Sequence, residues 1–431
     1  MINQPPKQIN TMYIGVLGSI ATNDLLPELA RQRPGTYPKG REGAPLITNL
    51  IHEYIARGHK VLAITTDPKL SDDEPPFVYE DGLLTYVVVP ARKHTFRPNG
   101  KRPGRTADFY RFERGQLLRV LRHYKPEVVH AHWTYEFALA ALAYTPDALI
   151  TVHDNARTIF RYVRTLERFF MLLMARYVFS RGRRFTAVSA YMAESVQSWA
   201  KQPVVVVPNP VLVPAKQAGS AEPAVPVISM VVNGWDDRKN SKNALLAFKK
   251  IQQWHPDAML WAFGTAFEPG AEAADFCQTH QISNVVLFGQ TRHADVLKKV
   301  AQSTVLLHAS LEESFGMVLA EAMSYGVPVV AGKNSGAVPW VVEDGGLLID
   351  VTSINEIVTA VDKLLSDRVL YARLSKNAIK AIKTRFSVET IADQYLDLYR
   401  KNGSHSVDGI AERKKRPQRA INELTLPSNN E

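Results

Sequence analysis

The sequence predicts an α/β protein of two doubly wound domains in tandem. Short apolar runs of strand length alternate with longer stretches whose apolar residues recur at helical spacing, and this alternation occurs in two series. Between the series lies 213–226, rich in Ala, Pro, Gly and Ser, which reads as a linker. The length of 431 residues fits two domains. The expected organisation is a first domain over 1–212, the linker over 213–226, a second domain over 227–385 and a further helix over 386–401. A polar, basic tail over 402–431, containing Arg413-Lys-Lys-Arg416, is expected to be disordered.

In the first series, 12–18 reads as a strand entering a loop that carries Gly40 and Gly43. A helix over 46–56 stops at Gly58, and 60–65 is the next strand. Another strand follows at 83–89. The stretch 92–105, rich in Arg, Lys, Pro and Gly, is expected to be a mobile loop, and 107–123 a helix. Buried strands at 127–131 and 148–153 carry histidines at their C-terminal ends, His130, His132 and His153. Ligands of open α/β sheets bind beyond those ends. A long helix over 157–180 places Arg157, Arg161, Arg164 and Arg168 at helical spacing among Phe160, Phe169 and Phe170. It is either a membrane-surface helix with a basic face or a packed helix with solvated arginines. Strands at 185–189 and 204–207 complete the series, with Ser189 as a helix cap.

In the second series the strands are 227–232, 258–263, 285–288, 304–308 and 327–331. Helices fall at 243–254, 271–280, 294–301 and 316–325, and further helices at 354–366, 368–384 and 388–401 close the chain. The densest signal is 312–330. Glu313 stands just before a helix start, where exposed backbone N–H groups favour an anion. Met317, Glu321 and Ser324 share one helix face, while Gly326 and Pro328 end the helix.

Composition is that of an ordinary globular chain, with 45% hydrophobic and 22% charged residues. No apolar run approaches the ~18 residues of a membrane span, and the start lacks an apolar leader core. A lone cysteine, Cys277, forms no intrachain disulfide and no zinc cluster and is expected to pack inside a helix. A cytoplasmic location follows as the expectation. The net charge of +10 is uneven. Residues 1–200 carry 27 Lys and Arg against 18 Asp and Glu, whereas the remainder carries 25 against 24. The first half therefore faces something anionic, such as a membrane surface. Nucleic acid is not expected, because no finger, RNA-recognition or basic-zipper pattern is present.

Glu313-Ser-Phe-Gly, followed by Glu321-Ala-Met-Ser-Tyr-Gly-Val-Pro-Val-Val, resembles the signature of the retaining glycosyltransferases of family four, glycosyl transferases group 1. The resemblance covers about 12–401. It implies the GT-B fold, two Rossmann-like domains facing across a cleft, with the helix over 386–401 returning to the first domain. It also implies a donor site. Glu313 touches the donor sugar, Glu321 the nucleotide ribose, and the backbone amides at Ser314, Phe315, Gly316 and Met317 the distal phosphate. His153, in Thr151-Val152-His153-Asp154, approaches the sugar from the first domain, whereas the role of His132 is less defined and His130 reads as structural. Lys239 neutralises the diphosphate. The family pairs that lysine with an arginine, but Trp235 stands there, and Arg238 is the natural substitute.

Gly43 matches the family's glycine turn, while Gly40 reads equally well as part of a flexible loop. Gly264 and Phe288 stand where backbone contacts the phosphate or base. Ser335-Gly336-Ala337-Val338-Pro339 departs from the family loop in carrying Pro339 for a glutamate.

The implied activity is retaining, metal-independent transfer from a UDP- or GDP-sugar to a glycan or lipid-linked acceptor, in cell-surface polysaccharide or glycolipid synthesis. The donor is a substrate, no cofactor is implied, and no Asp-x-Asp pair occurs in the chain. The departing phosphate oxygen would take the acceptor proton, so no protein base is assigned. The competing readings are a sugar-nucleotide epimerase of similar fold and a non-catalytic nucleotide-sugar-binding protein. A peripheral position on the cytoplasmic membrane face is the expected extension of the basic first half.

Overall fold

A computed structural model describes residues 11–33, 35–71, 73–214 and 225–413, with 402–413 as backbone alone. Most of the expected linker and the basic tail from 414 onward lie outside the described residues.

The first sheet contains β1 (Tyr13–Leu17), β2 (Lys60–Asp67), β3 (Phe77–Asp81), β4 (Leu84–Pro90), β5 (Val128–His132), β6 (Leu149–Val152), β7 (Arg184–Ala187) and β8 (Val205–Val206). Their order across the sheet is β3-β4-β2-β1-β5-β6-β7-β8. All pairs are parallel except the β3–β4 hairpin. The second sheet contains β9 (Val227–Val231), β10 (Met259–Phe263), β11 (Val285–Gly289), β12 (Val305–His308), β13 (Val329–Gly332) and β14 (Gly346–Ile349). Its order is β11-β10-β9-β12-β13-β14, parallel throughout. Helices cover both faces of parallel sheets, so central strands such as β12 are apolar runs, buried along their whole length. Each sheet reverses its strand order beside its first strand, and the carboxyl ends there form the crevice where such folds bind ligands.

The chain crosses between the halves twice, at neighbouring points. Val211 donates its backbone N–H to Phe386 O at 2.7 Å, and Val211 bridges Ser387. The last helix, Val388–Arg413, then lays Ile391, Ala392, Tyr395, Leu396 and Tyr399 against the first domain's core. Tyr399 Oη lies 3.3 Å from Tyr54 Oη and 2.6 Å from His130 Nδ1. The helix continues beyond 401, where the disordered tail was expected to begin. Once a helix is nucleated, each added residue gains a hydrogen bond at little further cost.

Several elements differ from expectation. The helix expected over 157–180 is two helices, Ala156–Tyr162 and Leu166–Arg181. Thr165 interrupts them in an extended conformation, its side chain accepting from Arg168 N at 3.3 Å. The stretch 92–105 is folded rather than a free loop. Arg92 is fully buried, with Asp108 and Glu113 both on its guanidinium, and Arg105 N donates to His94 O at 3.0 Å. The helix after it begins only at Arg111, because Phe109 and Tyr110 adopt left-handed backbone angles. Strands β3 and β14 had not been expected, nor had the helices Thr22–Leu25, Pro27–Gln32 and Glu136–Tyr144. Cys277 is buried on its helix as expected.

Candidate functional site

In the second half the loop after β9 is pinned to the end of β12. Asp236 accepts from Arg238 N and opens a single 3-10 turn, Asp237–Lys239. Asn240 ends it at φ 52° and donates its side-chain amide to Ala309 O and Val351 O, at 3.2 and 2.8 Å. This anchoring brings Lys239 Nζ to 2.9 Å from Glu313 Oε1. His308, the last residue of β12, places Nε2 3.5 Å from the same oxygen. Burial alone would raise the Glu313 carboxyl; the nearby His308 ring and the Lys239 ammonium outweigh it and hold the group well below the usual carboxylate range. Glu313 is therefore a largely buried acceptor that is ionised at neutral pH.

Its backbone is held from two sides. Ala337 N donates to Glu313 O at 2.9 Å from the Ser335-Gly336 loop. A Cβ at Gly336 would lie 2.6 Å from that carbonyl and 2.9 Å from the Tyr191 ring, so the approach requires glycine, here at φ 64°. Ser189, which caps the helix Ala190–Gln197 of the first half, donates Oγ to Ser314 O at 2.7 Å. Tyr191 on the same helix hydrogen-bonds Glu312, whose carboxyl is pushed up by burial and by Glu313 beside it. Thus two residues of the first half reach the loop that carries the site.

Phe315 turns its ring into the core against Phe386 and Trp340, 5.4 and 6.4 Å between centroids, so it offers a ligand only backbone. Gly316, at φ 86°, opens the helix Met317–Ser324. The first N–H groups of that helix lack intrahelical partners and carry the positive end of its dipole. Met317 is half-buried there. Glu321 is buried and accepts from His293 Nε2 at 2.7 Å. Burial opposes protonation of His293, but Glu321 and the charge of Asp24 in the first half raise it overall.

Arg238 lies alongside, its guanidinium 3.8 Å from Glu312 Oε2 and 3.7 Å from Asp236 Oδ1. Trp235 packs on Phe267 and Phe276 and carries no charge toward the site. Gly264 sits at φ 110°, where a Cβ would lie 1.9 Å from Val232 O, and only glycine allows that crossing of β9 and β10 ends. The Phe288 ring stacks on Phe263 at 4.6 Å.

On the first sheet, His153 Nε2 lies 2.9 Å from His132 Nδ1, and the His153 ring lies 4.5 Å from Trp133. His132 Nε2 is buried without a partner. The tautomer that avoids an orphaned buried N–H therefore puts the His132 proton on Nδ1, donated to His153, and leaves His153 its own proton on Nδ1. Burial lowers His153 to about 3, so it is a neutral hydrogen-bonding group at neutral pH. His130 bonds Tyr399 and Thr151 and is structural, as expected.

The two glycines of the first loop exchange weight. A Cβ at Gly40 would lie 2.4 Å from Ile20 O, and Gly40 N donates to Asp67 Oδ2 at 3.1 Å, so Gly40 is no flexible-loop residue. Gly43 also has positive φ, but open space surrounds it. Beside Gly40 lies a cavity of about 350 Å³ lined in part by Lys39, Arg41, Lys69, Arg105, Tyr110 and Glu136. Arg41 is ion-paired with Glu136, while Arg105 Nε is buried without a partner.

His308, Glu312, Tyr191, Ser189 and His293 had no assigned part in the expected site. For His308 a signal existed, since it ends a buried strand as His153 nearly does. Glu312 adjoins Glu313 in the chain, but Tyr191, Ser189 and His293 gave no signal, because they join the site only across the fold.

Residues 215–381 match the family described as glycosyl transferases group 1, and residues 44–212 match glycosyltransferase family 4. Among curated proteins, the N-acetyl-alpha-D-glucosaminyl L-malate synthase of Bacillus anthracis is 31% identical over 37% of this chain and 42% of its own length. The lipopolysaccharide core biosynthesis glycosyltransferase LpsE of Rhizobium meliloti is 26% identical over 41% of this chain and 50% of its own. A probable sucrose-phosphate synthase of rice, Oryza sativa subsp. japonica, is 38% identical over 22% of this chain and 9% of its own. The matched stretches thus span at most half of these relatives.

Among solved structures, sucrose-phosphate synthase from Thermosynechococcus elongatus aligns over 91% of this chain and 100% of its own, with TM-score 0.70 and 19% identity. WaaG, a glycosyltransferase involved in lipopolysaccharide biosynthesis, aligns over 90% and 99%, with TM-score 0.62 and 16% identity. These likenesses carry the fold. With both halves matched in sequence and both sheets matched in structure, the chain belongs to the group 1, family 4 glycosyltransferases and has the GT-B fold.

Proposed function

We infer that this chain is a retaining, metal-independent hexosyltransferase that moves a sugar from a UDP- or GDP-sugar to a glycan or lipid-linked acceptor, in cell-surface polysaccharide or glycolipid synthesis. The observation that carries this reading is the Lys239–Glu313 pair at the start of the helix Met317–Ser324. Sugar transfer with loss of a nucleoside diphosphate needs positive charge where the diphosphate departs and an ionised acceptor where the sugar hydroxyls sit. Glu313 supplies the acceptor. Lys239 keeps further N–H donors beyond the one given to Glu313, and the helix N-terminus and Arg238 add to the positive field. His153, neutral and with Nδ1–H as its donor, would steady the sugar from the first half. Glu321 would take the ribose, and the backbone at Gly264 and Phe288 would border the phosphate and base. The acceptor would enter from the first half, beside the cavity near Gly40. The departing phosphate oxygen takes the acceptor proton, so no side chain is assigned as base.

The test is a panel of UDP- and GDP-sugars, with and without candidate acceptors, followed by mass spectrometry and by NMR of the new anomeric centre. Transfer with retained configuration, unaffected by a chelator, is expected. Conversion of donor alone into another sugar nucleotide would instead make it an epimerase. Tight donor binding with no turnover against any acceptor would make it a nucleotide-sugar-binding protein.

A further inference from the structure

The two basic stretches of the first half, far apart in sequence, meet in space. Phe170 lies 6.0 Å from Phe96 of the 92–105 segment and 5.6 Å from Phe109, between ring centroids. Phe169 joins Phe170 to Phe160, at 6.2 and 6.0 Å. On the helix Leu166–Arg181, one face is core, with Met174, Ala175, Val178 and Phe179 buried. The opposite face carries a second apolar stripe. Leu166, Phe169, Leu173 and Tyr177 are 60%, 42%, 40% and 48% exposed, and Phe96 beside them 40%. Their spacing of three and four residues keeps them in one line along the helix.

Cations surround this stripe. Residues 157–184 hold eight arginines against Glu167 alone, and 93–105 hold five Lys and Arg with no acid. Of these, Lys93, Arg97, Lys101, Arg157, Arg161, Arg164, Arg176 and Arg181 are exposed. Opposing charges close by are Glu167 on the helix itself, Asp147, 3.9 Å from Arg183, and Asp154, whose carboxyl feels the charge of Arg168. Among the described residues no helix is long and apolar enough to cross a membrane.

We propose that this face seats the protein on an anionic lipid bilayer, which deepens the glycosyltransferase reading by naming where its acceptor is met. An exposed apolar line inside a basic field matches a surface with anionic headgroups above acyl chains. A second copy of the same face would meet like charge and be repelled. Nucleic acid would satisfy the arginines but leave Leu166 and Leu173 in water. The placement also fits the chemistry, because the segment bearing Phe96 carries Arg105 into the cavity near Gly40, and the helix Ala156–Tyr162 begins three residues after His153.

The test is sedimentation of the whole chain with phosphatidylcholine vesicles, with and without phosphatidylglycerol, at low and high salt. Binding to the anionic vesicles only, weakened by salt, is expected. Arg157→Gln, Arg161→Gln and Arg164→Gln should each weaken it about fivefold at low salt. Leu166→Gln with Leu173→Gln should weaken it at both salt concentrations. All five side chains are solvent-facing, so thermal unfolding should be unchanged and serves as the folding control. Recovery of the wild type in the supernatant with every vesicle would overturn the proposal. So would binding that these substitutions leave intact, or binding of duplex DNA with no binding to vesicles. None of these readouts needs a donor, so failure here leaves the sugar-transfer assay to decide the activity independently.

Discussion

Two groups of titratable side chains largely withdrawn from water face the crevice, and they resolve that withdrawal in opposite ways. In the second half Glu313 is only partly exposed yet ionised, because Lys239 and His308 converge on one of its oxygens. In the first half His130 and His132 are buried and His153 is half-buried, and all three are neutral; desolvation holds His130 and His153 down to about 3, and their partners are hydroxyls and each other. Burial penalises charge in both places, so the difference lies in whether an opposite charge lies within hydrogen-bonding reach. One half of the crevice thus supplies fixed charge and the other supplies oriented neutral hydrogen bonds.

Removing the fixed charge should have the largest effect. Glu313→Gln keeps the shape and is expected to lower turnover by about 10²–10³-fold. Nucleoside diphosphate affinity, measured by calorimetry, should stay within about twofold, because the phosphate contacts remain. Wild-type turnover in a folded variant would end the assignment of Glu313.

Lys239→Ala should weaken the diphosphate itself by about 1.5–3 kcal/mol, the loss of one charge-assisted contact. It also leaves Glu313 with His308 alone, so the Glu313 carboxyl should titrate higher. Infrared spectroscopy of the carboxylate band against pH would detect that, and an unmoved carboxylate would show the pair to be incidental.

Arg238→Ala is expected to cost less, about tenfold or below in diphosphate affinity, since its guanidinium stands off Glu312 and Asp236 rather than in tight contact. Unchanged calorimetric affinity would remove Arg238 from the site and leave the position of Trp235 without a charged substitute.

The smallest effect separates the two halves by pH. A histidine lowered in the fold binds fewer protons there than when unfolded, so its stabilisation is full above the ordinary 6.5 and is lost as pH falls toward about 3. Glu313, lowered from 4.5, contributes above that value and loses its contribution only in stronger acid. Asp154, raised by burial to about 6, opposes the histidine trend. Comparison with His130→Gln isolates it: the variant's melting temperature should fall less steeply between pH 6.5 and 4.5, by about 5 °C or less in all. Parallel curves for the two proteins would mean that His130 is protonated in the fold.

Most of the framework was legible because parallel strands buried on both faces are written as unbroken apolar runs. The helix after Gly316 was legible because its stop, Gly326-Val327-Pro328, is local chemistry. β3 was not, since Phe77–Asp81 is a short, mostly exposed edge that ends in two acids. β14 was not, since Gly346–Ile349 is short, half-buried and preceded by Glu343-Asp344-Gly345. The break at Thr165 was hidden because the apolar spacing continues through it, whereas a cap depends on one side-chain hydrogen bond. At the site, Glu313 and Lys239 could be named from their motifs, but their contact could not, because it depends on Asn240 tying β9's loop to Ala309 and Val351. Gly40 was undervalued for the same reason: its constraint is Ile20 O, twenty residues earlier in the chain.

The paired crossings between the halves constrain how the halves can move relative to one another. A body hung on a single strand swivels about every axis, like a ball in a socket. Here two strands pass side by side, Val211 tied to Phe386 and Ser387, and the returning helix is bolted to the first half through Tyr395 and Tyr399. Two adjacent pins make a door. Opening bends both strands together, while twisting would have to break the bond between them. Glu313 and His153 lie on opposite sides of this double crossing, so any swing of one half against the other about it would carry them along a single arc.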